Sequence, residues 1–330
     1  MRNLCISNLV YGQPYTHIFL NYHLKSLFEN TDGEDLYNFH YLIFTDQTHI
    51  PIIESHENFK KLKDKFIVRI IILEDTSYGA RYQIQGAQAN WTAKFALENN
   101  LILHLTTADA YYGKGFIKSG LNFLSNGYDS VVNQPMRITY ESAAQHLSNQ
   151  VLSVDELFEV GFSNLHPVWT SSNWENPYFI LYPYHLIWSD EKSICLRPFS
   201  LGPSFAIPQE WMLELYGCID MTFISHCKNP YYSTDWSELP VVELQPLLSF
   251  YPPFGNKRSD IQAVTDWAFQ NIHPDNFRNL SRYMIYKKIN DPINEELILK
   301  SKLISDILYT YLSALNLERT LLTADRSLSN

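Results

Sequence analysis

The chain is poor in cysteine: Cys5, Cys195, Cys218 and Cys227 are its only four, far apart and without a C-x-x-C pair. That excludes a disulfide framework and a zinc-type spacing, and predicts reduced thiols in a cytoplasmic protein. Basic charge is also short, with 25 Lys and Arg against 35 Asp and Glu, a formal net charge of −10, and no Lys/Arg run to follow a phosphate backbone. Nucleic acid is excluded as a partner. No stretch reaches the ~18 uninterrupted apolar residues of a membrane span. Arg2, Asn3 and Asn8 break up the N-terminus, so neither a signal-peptide core nor an integral membrane segment is expected. P-loop, G-x-G-x-x-G, H-E-x-x-H and G-x-S-x-G motifs are missing, which removes several enzyme classes. There is no internal repeat and no low-complexity segment.

What the chain does have is length and aromatics. Its 330 residues can bury one large core or two smaller ones, and 22 Tyr and 7 Trp suit either packing or a cleft that stacks on a ring. The pattern centres on Leu101–Gly115 (LILHLTTADAYYGKG), where a branched apolar run ends in small and polar residues and then an acid. Before it come apolar runs at Leu4–Val10, Phe39–Phe44 and Phe66–Leu73, alternating with helical patterns. The helices are expected at Tyr15–Leu27, at Pro51–Leu62, and from Tyr82 to Asn99 with Ala87, Trp91, Phe95 and Leu97 buried. Phe66–Leu73, β-branched and nearly continuous, is expected at the centre of the sheet.

Crossovers of a dozen residues or more demand a mostly parallel sheet, which places every strand's carboxyl end on one edge. In such a sheet the ligand crevice lies at that edge. It would carry Tyr11, Gly12, Thr45, Asp46, Glu74, Asp75 and Thr106–Asp109. A helix at Phe116–Leu124 and a short strand at Tyr128–Val132 follow. The fold class is therefore α/β, a mostly parallel sheet flanked by helices, with a mixed β and helical C-terminal region. Three parts are expected: 1–150 carrying the crevice, 151–255 with mixed β structure and long loops, and 256–330 as helices packed on the body. Strand-like runs in the second part are Phe179–Tyr182, Ser193–Pro198 and Cys218–Ile224. In the third, Ile261–Ile272, Leu280–Ile289 and Leu297–Leu322 read as helices, the last with Leu303, Ile307, Leu308, Tyr311, Leu312 and Leu315 as its docking stripe.

Several residues could carry chemistry, each with a plainer alternative. Asp109 could hold a phosphate directly or through a divalent cation, or cap the helix that follows. Asp46 in FTDQ could accept from a ribose hydroxyl or close a turn. Tyr11 and Gly12 could stack on a base and let backbone approach a ligand, or form an ordinary turn. Arg81, at the entrance of a long helix, could pair with phosphate. His166, before Pro167, and Asp220, within CIDMTF, are candidate bases; Arg197 suits a buried ion pair.

Together SNLVYGQPYTHIFLNYHLKSL, YLIFTDQ, QGAQANWTAKFALENN and LTTADAYYGKG, with LRPFSLGPSFAIPQEW and CIDMTF further on, resemble bacterial glycosyltransferase-like proteins of the GT-A type, whose fold is Rossmann-related. The resemblance implies a transferase moving a sugar from a nucleotide-sugar donor to a glycan or lipid-linked acceptor, in bacterial surface polysaccharide synthesis. Carried over residue by residue, it places Asp109 and Asp46 on the donor; with the residue readings above, the donor would also meet Tyr11, Gly12, Thr45, Arg81 and Thr107, Mn²⁺ or Mg²⁺ would sit on Asp109, and Asp220 and His166 would be the catalytic groups. Where the family carries a second acid, this chain has Ala108 and Tyr111. A catalytically inactive glycan- or partner-binding protein is the alternative from another class. A sugar-phosphate nucleotidyltransferase would need a glycine- and lysine/arginine-rich first loop, and Tyr11–Tyr15 has none.

Overall fold

The computed structural model describes residues 3–31, 39–74, 81–147, 152–180, 183–215, 223–248 and 255–328, with backbone only at 81, 82 and 321–328. Its main sheet has seven strands. Four come from the first third of the chain: β1 (Leu4–Leu9), β2 (His40–Thr45), β3 (Ile67–Ile72) and β4 (Ile102–Thr107). They run parallel in the order β4-β1-β2-β3, as crossover helices require. Beyond β5 (Ala110–Tyr112), β6 (Ser130–Val132), β7 (Met136–Thr139), β8 (His185–Ser189) and β9 (Ile194–Pro198), the chain returns as β10 (Pro203–Ala206). This strand is antiparallel between β4 and β6, and β11 (Pro230–Tyr232) closes that side parallel to β6. Six of the seven strands thus point one way, and the mostly parallel α/β sheet is the observed one.

Two three-stranded sheets complete the β structure. One has the order β5-β12-β7, with β12 at Val241–Gln245; the other is β13-β9-β8, with β13 at Met284–Tyr286. The first is joined to the main sheet by the two-residue turn Ala108-Asp109, through which the chain passes from β4 into β5. The apolar face of β1, β2 and β4 packs Leu4, Ile6, Tyr41 and Ile43 against Phe19, Leu24 and Leu27 of the first helical stretch. That stretch runs through Gln13–Ile18, one wider π turn at Phe19–His23, and Leu24–Thr31.

Several expectations about the elements are corrected by the structure. β3 is the terminal strand of the sheet among the described residues, not a central one, and Ile67 and Ile72 are 43% and 50% exposed. Helix Arg81–Asn99 buries Ala89, Ala93, Ala96 and Phe95, because small side chains let it approach Cys5, Leu42 and Leu103 on the sheet. Ala87 and Trp91 are exposed, Trp91 lying flat on Phe95 with ring centroids 5.6 Å apart. Phe223–His226 is a helical turn where a strand was expected, residues 218–222 lying outside the described set. Leu280–Ile289 contributes the end of a 3₁₀ segment and β13 rather than a helix. In the last helix, Glu295–Leu328, Leu308 and Leu312 dock, whereas Leu303 and Tyr311 point to solvent. No helix among the described residues is long and apolar enough to cross a membrane.

Candidate active site

The carboxyl edge of the main sheet opens into a cavity of about 760 Å³. Its walls come from the elements that the parallel topology gathers there. Leu9, Tyr11 and Gly12 follow β1, and Thr106 to Ala110 span the end of β4. Gln85 and Gln88 descend from helix Arg81–Asn99, Asn133 and Pro135 lie beyond β6, and Glu243 and Pro246 come from β12 and its exit. Of the expected donor residues, the cavity brings together Tyr11, Gly12, Thr107 and Asp109.

Asp109 is only 5% exposed, and its carboxyl accepts from the Thr107 side chain and its own backbone N–H. Burial, then the neighbouring Glu243 carboxylate, push its pKa up to about 7, against the weaker pull of these hydrogen bonds and of Arg137. A second carboxylate thus stands near Asp109, carried by β12. Glu243 stands opposite Ala110 on β5 and opposite Arg137 on β7, and Arg137 Nε donates to its Oε2 at 2.8 Å. A single acid inside the apolar run VVELQ was the only signal in the sequence.

Gly12 holds φ +80°, ψ 136°, a conformation available to glycine, and its carbonyl accepts from Thr16 N at 3.0 Å to start the first helix. Gly12→Ala is expected to destabilise the protein by about 1–3 kcal/mol through backbone strain alone. The added Cβ would meet nothing closer than Tyr15 at 3.9 Å. Urea unfolding checks this, and an unchanged midpoint would show that the loop relaxes without cost.

Beneath the cavity lies a rigid polar floor. His23 Nδ1 donates to the Ala110 carbonyl at 2.8 Å, while Nε2 accepts from the Tyr41 hydroxyl at 2.8 Å. His104 Nδ1 donates to the Ser204 carbonyl at 2.5 Å, and its Nε2 lies 2.8 Å from the Tyr112 hydroxyl. Burial lowers the pKa of His23 to about 3, of His104 to about 4, and of His185 under Trp169 to about 3. A histidine held neutral in the fold contributes stability above its unfolded pKa and loses it as pH falls through the folded value. Asp109 has the opposite sign, contributing below the unfolded carboxyl value and losing that as pH rises through about 7. Three groups outweigh one, so stability is expected to fall between about pH 6.5 and pH 4. Urea midpoints across that range provide the check.

The other expected site residues lie elsewhere. Thr45 is fully buried at the end of β2 and does not line the cavity. Asp46 closes a turn: its Oδ1 accepts from Thr48 N at 2.9 Å and from His49 Nδ1 at 2.7 Å. Although partial burial opposes it, these bonds bring its pKa down to about 2. His166 caps helix Pro167–Thr170, its Nδ1 accepting from Val168 N at 3.2 Å, and its ring hydrogen-bonds the Pro246 backbone behind the cavity wall. Arg81 begins its helix with its side chain undescribed, and Asp220 lies outside the described residues. Arg197 forms no ion pair among the described residues; it donates to the Ser281, Arg282 and Ile298 carbonyls and to Ser301 Oγ.

The donor set gives a clear test for a cation. Among the described residues no three His, Cys, Asp or Glu side chains cluster as ligands. Two carboxylates are present, one already on Arg137, and the described lining holds no Lys or Arg. Mg²⁺ and Mn²⁺ commonly take one or two carboxylates and complete their shell with substrate phosphates, so these residues fit a cation that enters with a phosphorylated ligand.

No protein-family model matches the chain, and no curated protein matches it. Solved structures with a similar fold include S. aureus TarS, at 12% identity and TM-score 0.39 over 84% of this chain and 42% of that one. S. aureus TarS 1-349 in complex with UDP is similar at 17% identity and TM-score 0.31 over 41% of this chain and 36% of that one. Mouse xyloside xylosyltransferase 1, apo form, is similar at 11% identity and TM-score 0.32 over 43% of this chain and 57% of that one. In the two TarS comparisons the chain spans less than half of the other chain's length.

Proposed function

We propose that the protein is a glycosyltransferase that binds a nucleotide-sugar donor in the cavity at the carboxyl edge of the main sheet and passes the sugar to a glycan or lipid-linked acceptor. Bacterial surface polysaccharide synthesis is the setting this reading favours. The observation that carries it is the pairing of buried Asp109 with Glu243 in a lining whose described residues hold no cation. A diphosphate entering such a cavity meets two carboxylates and, among the described lining residues, no Lys or Arg, the Arg137 guanidinium being already engaged by Glu243; its burial there requires a further countercharge. A divalent cation held by Asp109, with Glu243 behind it, would supply that charge and stabilise the departing diphosphate.

The chain's own residues do the placing. Tyr11 offers a ring for the base, and Gly12 lets backbone come close to the donor. Asn133 Oδ1, buried without a hydrogen-bond partner among the described residues, is an acceptor for a sugar hydroxyl; its Nδ2 is fixed on the Leu239 carbonyl at 2.6 Å. Asp109 must release its proton before it can hold a cation, so cation-dependent donor binding is expected to strengthen as pH rises through about 7. Calorimetric titration with UDP-, GDP- and CMP-sugars, with and without Mn²⁺, tests the proposal. Binding of one nucleotide class that needs the metal supports it, and no binding of any contradicts it.

A further inference from the structure

A second cavity, of about 320 Å³, lies at the same edge of the main sheet as the first. Its position follows from the strand directions. β6 and β11 point the same way as β1 and β4, so Val132 and the Tyr232–Thr234 exit open beside the Asp109 cavity. The two spaces share walls at the level of single residues. Val132 faces the smaller and Asn133 the larger, and Leu201 faces the smaller and Gly202 the larger.

The charged wall of the smaller cavity is Arg282. Its guanidinium lies 3.2 Å from the centroid of the Tyr232 ring, and its buried Nε has no hydrogen-bond partner among the described residues. No carboxylate among the described residues forms an ion pair with it. Arg278 adds a second positive charge close enough to act on both Arg282 and Tyr232. Asp129, the carboxylate that acts on Tyr232, is taken up by the backbone N–H groups of Lys228 and Asn229 at 2.7 and 2.9 Å. The backbone that carries Arg282 is clamped from behind, since Arg197 Nη1 donates to the Ser281 and Arg282 carbonyls. A half-buried guanidinium resting over an aromatic ring, with no carboxylate on it among the described residues, suits an oxyanion next to a sugar ring.

We propose that this second cavity is a subsite for an anionic group of the acceptor, a phosphate or carboxylate carried on a sugar, which Arg282 binds while Tyr232 and Tyr283 contact the ring. Its assignment to the acceptor rests on the glycosyltransferase reading of the first cavity; the anion site itself does not. The test is titration of the wild type and of Arg282→Gln with glucose 6-phosphate, glucuronate and neutral glucose at low ionic strength, followed by ligand-detected NMR, with UDP binding measured on the same samples. At least one charged sugar is expected to bind about tenfold or more tightly than glucose in the wild type, a charge-assisted hydrogen bond's effect, and to lose that preference in Arg282→Gln with UDP binding unchanged. Whether glucose 6-phosphate or glucuronate responds identifies the anion. Arg282→Lys, which keeps the charge, is expected to retain part of the preference, and inorganic phosphate is expected to displace the charged sugar from the wild type should the Gln variant not fold. Equal binding of charged and neutral sugars by the wild type, a preference that survives Arg282→Gln, or no competition by phosphate overturns the proposal. Charged-sugar binding without any nucleotide-sugar binding would keep the anion site and remove the glycosyltransferase reading.

Discussion

Asp109→Asn is expected to reduce transfer from the nucleotide-sugar donor by about 10²- to 10³-fold, the scale of losing one preorganised electrostatic contact to a departing group. The same change should leave the fold intact and make it more stable above pH 7. Asparagine fills the same space and carries no charge, and the native carboxyl is destabilised there by burial and by Glu243. Sign matters here. A residue serving only the fold would show reduced stability on substitution; a residue holding an uncomfortable charge for function shows the reverse. Steady-state rates and urea midpoints at pH 8 decide between them, and unchanged turnover would remove Asp109 from the mechanism.

The second large effect is on packing under the same cavity. Gly120, in helix Phe116–Ser125, faces Phe205 of β10 so closely that a Cβ would stand 2.2 Å from the ring. The ring cannot retreat. It is fully buried, stacked on His104 at 4.4 Å, and tilted against Phe116 at 5.4 Å. Gly120→Ala gains about 1 kcal/mol of helix propensity but overpacks a filled core, which typically costs about 1–3 kcal/mol and more where nothing can shift. A net loss of about 2 kcal/mol is expected, together with weakened donor binding, because pressure on Phe205 is passed to His104 and to the Tyr112 hydroxyl beside it. A variant as stable as the wild type would show that the helix slides outward freely.

The contrast between these two residues explains how much of the protein was legible in its sequence. The strands that end in Leu9, Thr45 and Thr107 could be read because each is a local run with a local stop, and crossover length then fixed their common direction. Asp109 was placed at the cavity by that logic. Its electrostatic partner was not, because Glu243 reaches it through a second sheet whose pairing no local pattern encodes. The edge position of β3 has the same cause: an isoleucine-rich run specifies a strand, whereas its neighbours are set by the whole chain. Asp46 takes the plainer of its two readings: an acid after a strand looks like a ligand, but its Oδ1 is engaged by Thr48 and His49, and their spacing is that of a turn. Arg197 was singled out correctly as buried, yet its work is to hold carbonyls rather than an acid.

The account depends on one buried carboxyl meeting a pyrophosphate. Crystals soaked with UDP and Mn²⁺ test this most directly by anomalous diffraction at the manganese edge. The predicted result is a manganese peak touching the Asp109 carboxylate and the diphosphate together, with the uracil toward Tyr11. Nucleotide seated away from Asp109, or manganese and nucleotide bound with no shared contact there, would contradict it.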